Sequence, residues 1–175
     1  MKIQKFDKSE RDKQLNINFK LDNKIRAPFL LQAIGIDVLI SEIISHHFIS
    51  EEDNRKLFIS LIMGPGYLSF ASKIKILKEL LKLRYPNLEE KYPKLINKLE
   101  KVRNFRNKIV HSMLHNPDEY LKKKYTDRIE LGYYKNGEKK YQIITLADMD
   151  KKLVACSQIV YKLQDIRREV MQRIK

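Results

Sequence analysis

Apolar residues recur every three or four positions in five segments of the chain, and this spacing predicts five α-helices. We expect the helices over approximately residues 28–48, 50–63, 68–85, 92–115 and 147–175. Proline and glycine mark several boundaries, since Pro28 suits a first helical turn, residues 64–66 read as a turn and Pro117 stops the fourth helix. The pattern therefore predicts a mainly α-helical bundle of four to five helices.

The apolar positions also predict which helix faces are buried. The first helix should be the most buried, because it is apolar on more than one face. Its apolar positions include Leu31, Ile34, Val38 and Leu39. The lysines of the third helix that we expect to face solvent are Lys73, Lys75, Lys78 and Lys82. The expected inward stripe of the fourth helix is Leu95, Leu99, Val102, Ile109 and Met113.

The period changes near residues 129–145, where Asn136-Gly137 separates two β-prone runs. A two-residue turn at this point would pair Leu131 with Gln142 and Tyr133 with Lys140. Neither face of the resulting hairpin is uniformly apolar. We therefore expect an exposed β-hairpin inserted in the helical bundle, and not a core sheet.

The first 24 residues are polar and basic, with charges of alternating sign, which predicts a loose N-terminal arm before a single helical domain over residues 25–175. The N-terminus lacks the apolar segment of a secretory signal. The longest apolar run, residues 29–49, contains Gln32, Asp37 and Glu42, so it is expected to be a core helix and not a membrane span. These features predict a cytoplasmic protein without a membrane partner.

Charge and cysteine content narrow the function classes. Lys and Arg total 36 and Asp and Glu total 22, which gives a net charge of +14 and a field that attracts polyanions such as nucleic acid. The single cysteine, Cys156, excludes an intrachain disulfide and is expected to be a buried, inert thiol.

Residues 103–112, RNFRNKIVHS, gather two Arg-Asn pairs, a lysine and a histidine on the fourth predicted helix. Each residue of a helix advances about 100°, so Asn107 and His111 lie about 40° apart on one face. Arg103 extends that stripe, whereas Arg106 lies about 140° from His111. The side chain of Arg106 must therefore reach back, the helix must distort, or the two residues must act across a subunit boundary.

These residue types suit RNA cleavage without a metal or any other cofactor. A histidine can move a proton near neutral pH while the ribose 2′-hydroxyl attacks the adjacent phosphorus. An arginine can bind the phosphate and offset its developing charge, and an asparagine can orient the histidine or donate to a phosphate oxygen. The expected products carry a 2′,3′-cyclic phosphate and a 5′-hydroxyl.

Residues 106–111, RNKIVH, resemble the R-N-x-x-x-H signature of the HEPN family (higher eukaryotes and prokaryotes nucleotide-binding domains), and the order of helices over roughly residues 28–172 is similar. The resemblance implies an all-α homodimer in which two motifs face each other. It implies a metal-independent endoribonuclease acting as a toxin or phage-defence effector or in RNA processing, with an antitoxin or other protein as a candidate partner. It assigns phosphate binding to Arg106, positioning to Asn107 and acid–base chemistry to His111.

Four further residues are expected to contact RNA, as cations for phosphates and as an aromatic ring for bases. They are Arg103, Lys108, Lys139 and Tyr133. In the hairpin, Tyr134 and Tyr141 are further candidates for contact with RNA, and the hairpin could instead bind an antitoxin. Three other interpretations stay open. The motif could be a solvated helix end, or part of a HEPN-like module that binds RNA or a partner protein without cutting. His111 and His115 also have the spacing of metal ligands on a helix, with Asp118 and Glu119 just beyond, but lack a third ligand in the pattern.

Overall fold

The computed structural model describes residues 7–64 and 67–173, so residues 1–6 of the expected arm and part of the expected turn at residues 64–66 lie outside it. The described chain is mainly α-helical with one small antiparallel sheet. Its helices are α1 Lys8–Phe48, α2 Glu52–Leu61, α3 Phe70–Arg84, α4 Pro86–Lys91, α5 Leu95–Val110, α6 Asp118–Lys122 and α7 Leu146–Arg173. Its strands are β1 Met113–Leu114, β2 Arg128–Lys135 and β3 Glu138–Thr145. The five expected helices are present, and the short α4 and α6 are additions.

The chain divides into two compact units. Unit 1 comprises residues 1–30 and 106–153, and unit 2 comprises residues 31–105 and 154–175. Buried apolar residues of unit 1 come from α1, the end of α5, α6, the sheet and the start of α7, and include Ile25, Phe29, Ile109, Leu121 and Leu131. Those of unit 2 include Ile40, Leu77, Leu99, Cys156 and Leu163. The expectation of a buried thiol at Cys156 is confirmed.

The prediction of a loose arm is wrong for residues 8–24, which form the first half of α1. Gln14, Asn18 and Asp22 recur every four residues on a buried stripe of this helix. The Gln14 amide donates to Asn18 Oδ1 at 3.1 Å, and the Asn18 amide donates to Asn116 Oδ1 at 2.8 Å. Because α1 begins at Lys8, Pro28 lies inside the helix and not at its start. Proline has no backbone N–H, so one helical hydrogen-bond donor is missing at this position.

The second half of α1 is less buried than expected. Leu31, Ile34 and Val38 are exposed, while Ile36, Ile40, Ile43 and Ile44 form the buried stripe. Among the described helices, α1 alone is long and apolar enough to cross a membrane. Within the protein, 39% of its apolar window is buried.

Lys73 on α3 is buried, which contradicts its predicted solvent-facing position. Its Nζ lies 2.9 Å from Asp37 Oδ1 on α1, so the ammonium is paired inside unit 2. Ser69 caps α3 by accepting a hydrogen bond from the Ser72 amide at 3.1 Å.

Helix α5 ends at Val110, about five residues earlier than predicted. Met113, expected on the inward stripe, is exposed and belongs to β1, where it pairs with Gly132. Strand pairing with β2 therefore replaces helical hydrogen bonds after His111.

The predicted hairpin is confirmed, with the expected pairs Leu131–Gln142 and Tyr133–Lys140. Asn136 and Gly137 have positive φ angles of 53° and 79°, as the two-residue turn requires. The expectation of an exposed hairpin holds for its tip only. Near its base, Ile129, Leu131 and Ile144 are buried, so one face of the sheet forms part of the core of unit 1. Thr145 and Asp148 then cap α7 reciprocally, which fixes its start at Leu146.

Candidate active site

The signature residues lie at the C-terminal end of α5 in unit 1. Asn107 and His111 are exposed and Arg106 is half-buried. The His111 amide donates to the Asn107 carbonyl at 3.1 Å, so the histidine continues the last helical turn. Among the described residues, none forms a hydrogen bond or ion pair with the His111 imidazole. Both ring nitrogens are therefore open to a ligand.

Arg106 turns toward the asparagine beside it. Its Nη1 donates to Asn107 Oδ1 at 3.1 Å. This hydrogen bond brings the guanidinium toward the face of α5 that carries Asn107 and His111, which covers part of the separation of about 140°. The amide nitrogen of Asn107 keeps its two donors for a ligand. Arg106 and Asn107 thus present a group of N–H donors suited to an anion.

The backbone on both sides of His111 is held by an arginine that the sequence pattern did not indicate. Arg26 Nη1 donates to the Ile109 carbonyl at 3.3 Å and to the Ser112 carbonyl at 3.1 Å. Its Nη2 pairs with Asp22, which is buried. A cation at the last carbonyls of a helix also opposes the helix dipole. We call this arrangement the Arg26 cap; its one signal in the sequence was the spacing of Asp22 and Arg26.

Three of the four residues expected to contact RNA lie in unit 1, in two separate contacts. Lys108 Nζ lies 4.1 Å above the Tyr133 ring, and Lys139 Nζ lies 5.4 Å from the centre of the Tyr141 ring. Cross-strand partners share a face of a sheet, so Tyr133, opposite Lys140, and Lys139, opposite Tyr134, lie on different faces. The structure therefore does not bring Tyr133 and Lys139 together.

Arg103, the fourth of these residues, belongs to unit 2. Its Nη2 lies 2.9 Å from Glu100 Oε2 and donates to Asn104 Oδ1 at 2.9 Å. A carboxylate thus already offsets its charge, which reduces the attraction that Arg103 can exert on a phosphate.

His115 is held by a carboxylate and lies against a tyrosine ring. Its Nδ1 lies 2.7 Å from Glu130 Oε2, and its ring centre lies 4.2 Å from that of Tyr141. Asp118 pairs with Arg11 at 3.3 Å. The described residues contain no group of three or more His, Cys, Asp or Glu side chains that could hold a metal ion.

Tyr120 is hydrogen-bonded to the first residue of β2. Its hydroxyl donates to the Arg128 carbonyl at 2.8 Å. Burial, followed by the nearby Glu130 carboxylate, raises the pKa of Tyr120 to about 12. The phenol therefore stays neutral at physiological pH and acts as a structural donor.

The chain was compared with models of protein families, with curated proteins and with solved structures, and none of them matches it. The function must therefore be inferred from the residues of the site and their geometry.

Proposed function

We propose that the protein is a HEPN-type, metal-independent endoribonuclease whose active site contains Arg106, Asn107 and His111. One observation carries the proposal: an imidazole without a partner among the described residues lies one helical turn from Asn107, to which the Arg106 guanidinium is hydrogen-bonded. An exposed proton-transfer group beside an anion-binding group is what cleavage of a ribose phosphate needs. The net charge of +14 supports a polyanionic substrate.

In the proposed reaction, the ribose 2′-oxygen attacks the adjacent phosphorus while its proton passes to one imidazole. The bond between phosphorus and the 5′-oxygen breaks, and the departing oxygen takes a proton from a second, protonated imidazole. The products carry a 2′,3′-cyclic phosphate and a 5′-hydroxyl, and no water is consumed. Arg106 binds the non-bridging phosphate oxygens, and the Asn107 amide donates to the same phosphate.

The need for two proton-transfer groups favours a homodimer. One copy supplies a single exposed histidine at the motif, and a second copy would supply the other. The exposed apolar residues Leu31, Ile34 and Val38 on α1 are of the kind that subunit interfaces cover. A dimer would also remove the geometric problem of Arg106, because each site could take its arginine and histidine from different copies.

The first experiment is cleavage of a single-stranded RNA by the full chain in EDTA, with end-group analysis of the products. Arg106→Ala and His111→Ala should each lower the rate at least about 100-fold, since each removes a group used in the transition state. Lys82→Ala, which removes one positive charge from an exposed position of α3, is the matched control for Arg106→Ala. Unchanged cleavage by the His111 variant would remove the motif from the mechanism.

A mixing experiment tests the shared site. Native and His111→Ala chains are unfolded together in equal amounts and refolded. If each site needs a histidine from both copies, only the all-native dimers, about a quarter of the total, are active, and the mixture has about a quarter of the activity of the same amount of native chain. Activity of about a half would assign each site to a single copy.

The alternative is a HEPN-like module that binds RNA or a partner protein without cutting. One observation favours it: no carboxylate or amide among the described residues orients the His111 imidazole, as a third group does in many acid–base sites. This alternative predicts that RNA is recovered intact, that His111→Ala binds normally and that Lys108→Ala weakens binding. A cytoplasmic toxin or defence effector restrained by a partner protein is the role that the catalytic proposal fits.

A further inference from the structure

One face of the three-stranded sheet in unit 1 is open to solvent and rich in aromatic and cationic side chains. We call it the open face. Its members, defined by the alternation of side chains and by strand register, are Met113, His115, Glu130, Gly132, Tyr134, Lys139, Tyr141 and Ile143. Met113 is 77% exposed, Tyr134 74% and Tyr141 46%, whereas Ile129, Leu131 and Ile144 on the other face are buried.

Tyr141 is the centre of the open face. Its ring lies across Gly132, where an added Cβ would be only 3.5 Å from the Tyr141 Cε1 atom. On the far side of β2, the Tyr141 ring contacts the His115 ring. The two ring centres are 4.2 Å apart and the ring planes are inclined at 40°. Glu130 holds the His115 ring through the 2.7 Å contact to Nδ1. The two rings therefore cover the sheet side by side and are fixed by neighbours, with Lys139 beside the Tyr141 ring.

We infer that the open face binds the bases of single-stranded RNA, with Tyr141 as the main stacking residue. This inference rests on the proposed function and adds the substrate class to it. An aromatic ring on an exposed strand can stack on any base, and an adjacent lysine can bind the neighbouring phosphate. The bases of a duplex are stacked on each other and cannot lie on such a face.

Charge favours RNA over a protein as the occupant. Lys139 adjoins the Tyr141 ring on the open face, and the net charge of +14 attracts a polyanion. Glu130 is already paired with His115. A protein partner would instead need to cover Met113 and Ile143, which lie apart on the outer strands β1 and β3.

The open face begins next to the motif. Met113 follows His111 by two residues, which span at most about 7 Å of extended chain. A base stacked at that end of the face would thus adjoin the proposed acid–base group. The inference predicts that the scissile linkage lies beside a stacked, unpaired nucleotide.

Binding is measured by fluorescence anisotropy on the His111→Ala chain, so that the RNA stays intact. The probes are a labelled 12-nucleotide RNA, the same RNA in a duplex, and an abasic strand of equal length. Tyr141→Ala should weaken binding of the single strand about 5- to 100-fold, and Tyr141→Phe should restore it. Tyr141→Leu keeps apolar bulk on the strand and should bind as weakly as Tyr141→Ala. Tyr161→Ala, at an exposed tyrosine of α7 in unit 2, is the matched control.

Salt dependence separates stacking from charge. Lys139→Gln should lower the slope of log affinity against log salt by about 0.7, as expected for one phosphate contact on a single strand. Tyr141→Leu should leave that slope unchanged. Equal affinities for single-stranded, duplex and abasic probes would overturn the inference.

The outcomes also separate this inference from the catalytic proposal. If single-strand binding depends on Tyr141 but the native protein cuts no RNA, the open-face inference is supported and the nuclease proposal is rejected. Cleavage that depends on His111, with native affinity in Tyr141→Leu, does the reverse. Failure of every variant and of the His111→Ala chain to bind RNA overturns the inference and leaves a protein as the occupant.

Discussion

Removing the Arg26 guanidinium should loosen the segment that carries His111 without unfolding the protein. Arg26 donates to both the Ile109 and the Ser112 carbonyls, on either side of the histidine, and the Ile109 carbonyl also accepts from the Ser112 backbone N–H at 3.3 Å. It also neutralises Asp22, whose side chain is only 6% exposed. Arg26→Ala therefore removes two charge-assisted hydrogen bonds and leaves a buried carboxylate without its cation.

The expected loss of stability follows from this geometry. Breaking a buried ion pair on one side costs about 3–5 kcal/mol. The Arg26 side chain is 22% exposed, so water can partly replace it, and we take the low end, about 3 kcal/mol. For a chain of this size that corresponds to a fall of about 6–12 °C in Tm. Arg26→Lys keeps the charge but not the fork of donors, and should lose about 1 kcal/mol.

The assay combines urea unfolding with RNA cleavage at 25 °C, where Arg26→Ala should still be folded. Cleavage should fall at least about 10-fold, because small displacements of a catalytic group are costly. Lys24→Ala, an exposed cation two residues earlier on α1, is the control for charge. The double variant Asp22→Ala, Arg26→Ala should be more stable than the sum of the single effects predicts, by about 2 kcal/mol.

Two results would refute this reasoning. Stability of Arg26→Ala within about 0.5 kcal/mol of the native chain would mean that solvent serves the two carbonyls equally well. Additive single and double effects would mean that Asp22 and Arg26 do not act as a pair.

Two further predictions concern unit 2. In urea unfolding, Asp37→Ala should cost about 2 kcal/mol more stability than Lys73→Met. Asp37→Ala leaves the Lys73 ammonium unpaired at 3% exposure, whereas Lys73→Met leaves the Asp37 carboxylate, which is 29% exposed and stays hydrated. Equal losses would contradict this. Burial, followed by nearby arginines, lowers the pKa of His46 and His47 below 6.5, so the unfolded chain binds protons more readily. Stability should fall as pH drops through 6.5 and level off below the folded pKa values, and a His46→Gln, His47→Gln double variant should show a flatter Tm between pH 8 and 5. An unchanged slope in that variant would assign the pH dependence to other groups.

Local signals in the sequence were sufficient to predict much of the fold. Four of the five expected helices begin close to their predicted positions, because a helix that buries one apolar face shows that face in its spacing. The hairpin register was predictable as well, since Asn136-Gly137 permits the positive φ angles of a tight turn and the turn then fixes the pairing.

The failures share a physical cause, which is competition from residues distant in sequence. The early end of α5 depends on pairing of Met113 and Leu114 with β2, and no local signal in the helix reports that partner. Lys73 looks solvent-facing by residue type, but Asp37, 36 positions earlier, allows its burial. Likewise the motif residues were recognisable, whereas the cap by Arg26 and the contact of Tyr141 with His115 appear only once the chain is folded.

The first half of α1, which the sequence pattern predicts as a loose arm, contacts the segment that carries the motif histidine. Its buried residues include the polar Gln14, Asn18 and Asp22 beside the apolar Leu21 and Ile25, and the half-buried Arg26 continues the polar spacing, so apolar periodicity alone is a weak signal here. An apolar stripe would hold the neighbouring chain by area alone, whereas hydrogen bonds also fix direction. Asn18 bonds Asn116, and Arg26 bonds the carbonyls of Ile109 and Ser112, so the polar stripe holds both ends of the segment that contains His111. The polar residues that make this half of α1 hard to recognise in the sequence are therefore the ones that hold the backbone around the proposed acid–base residue.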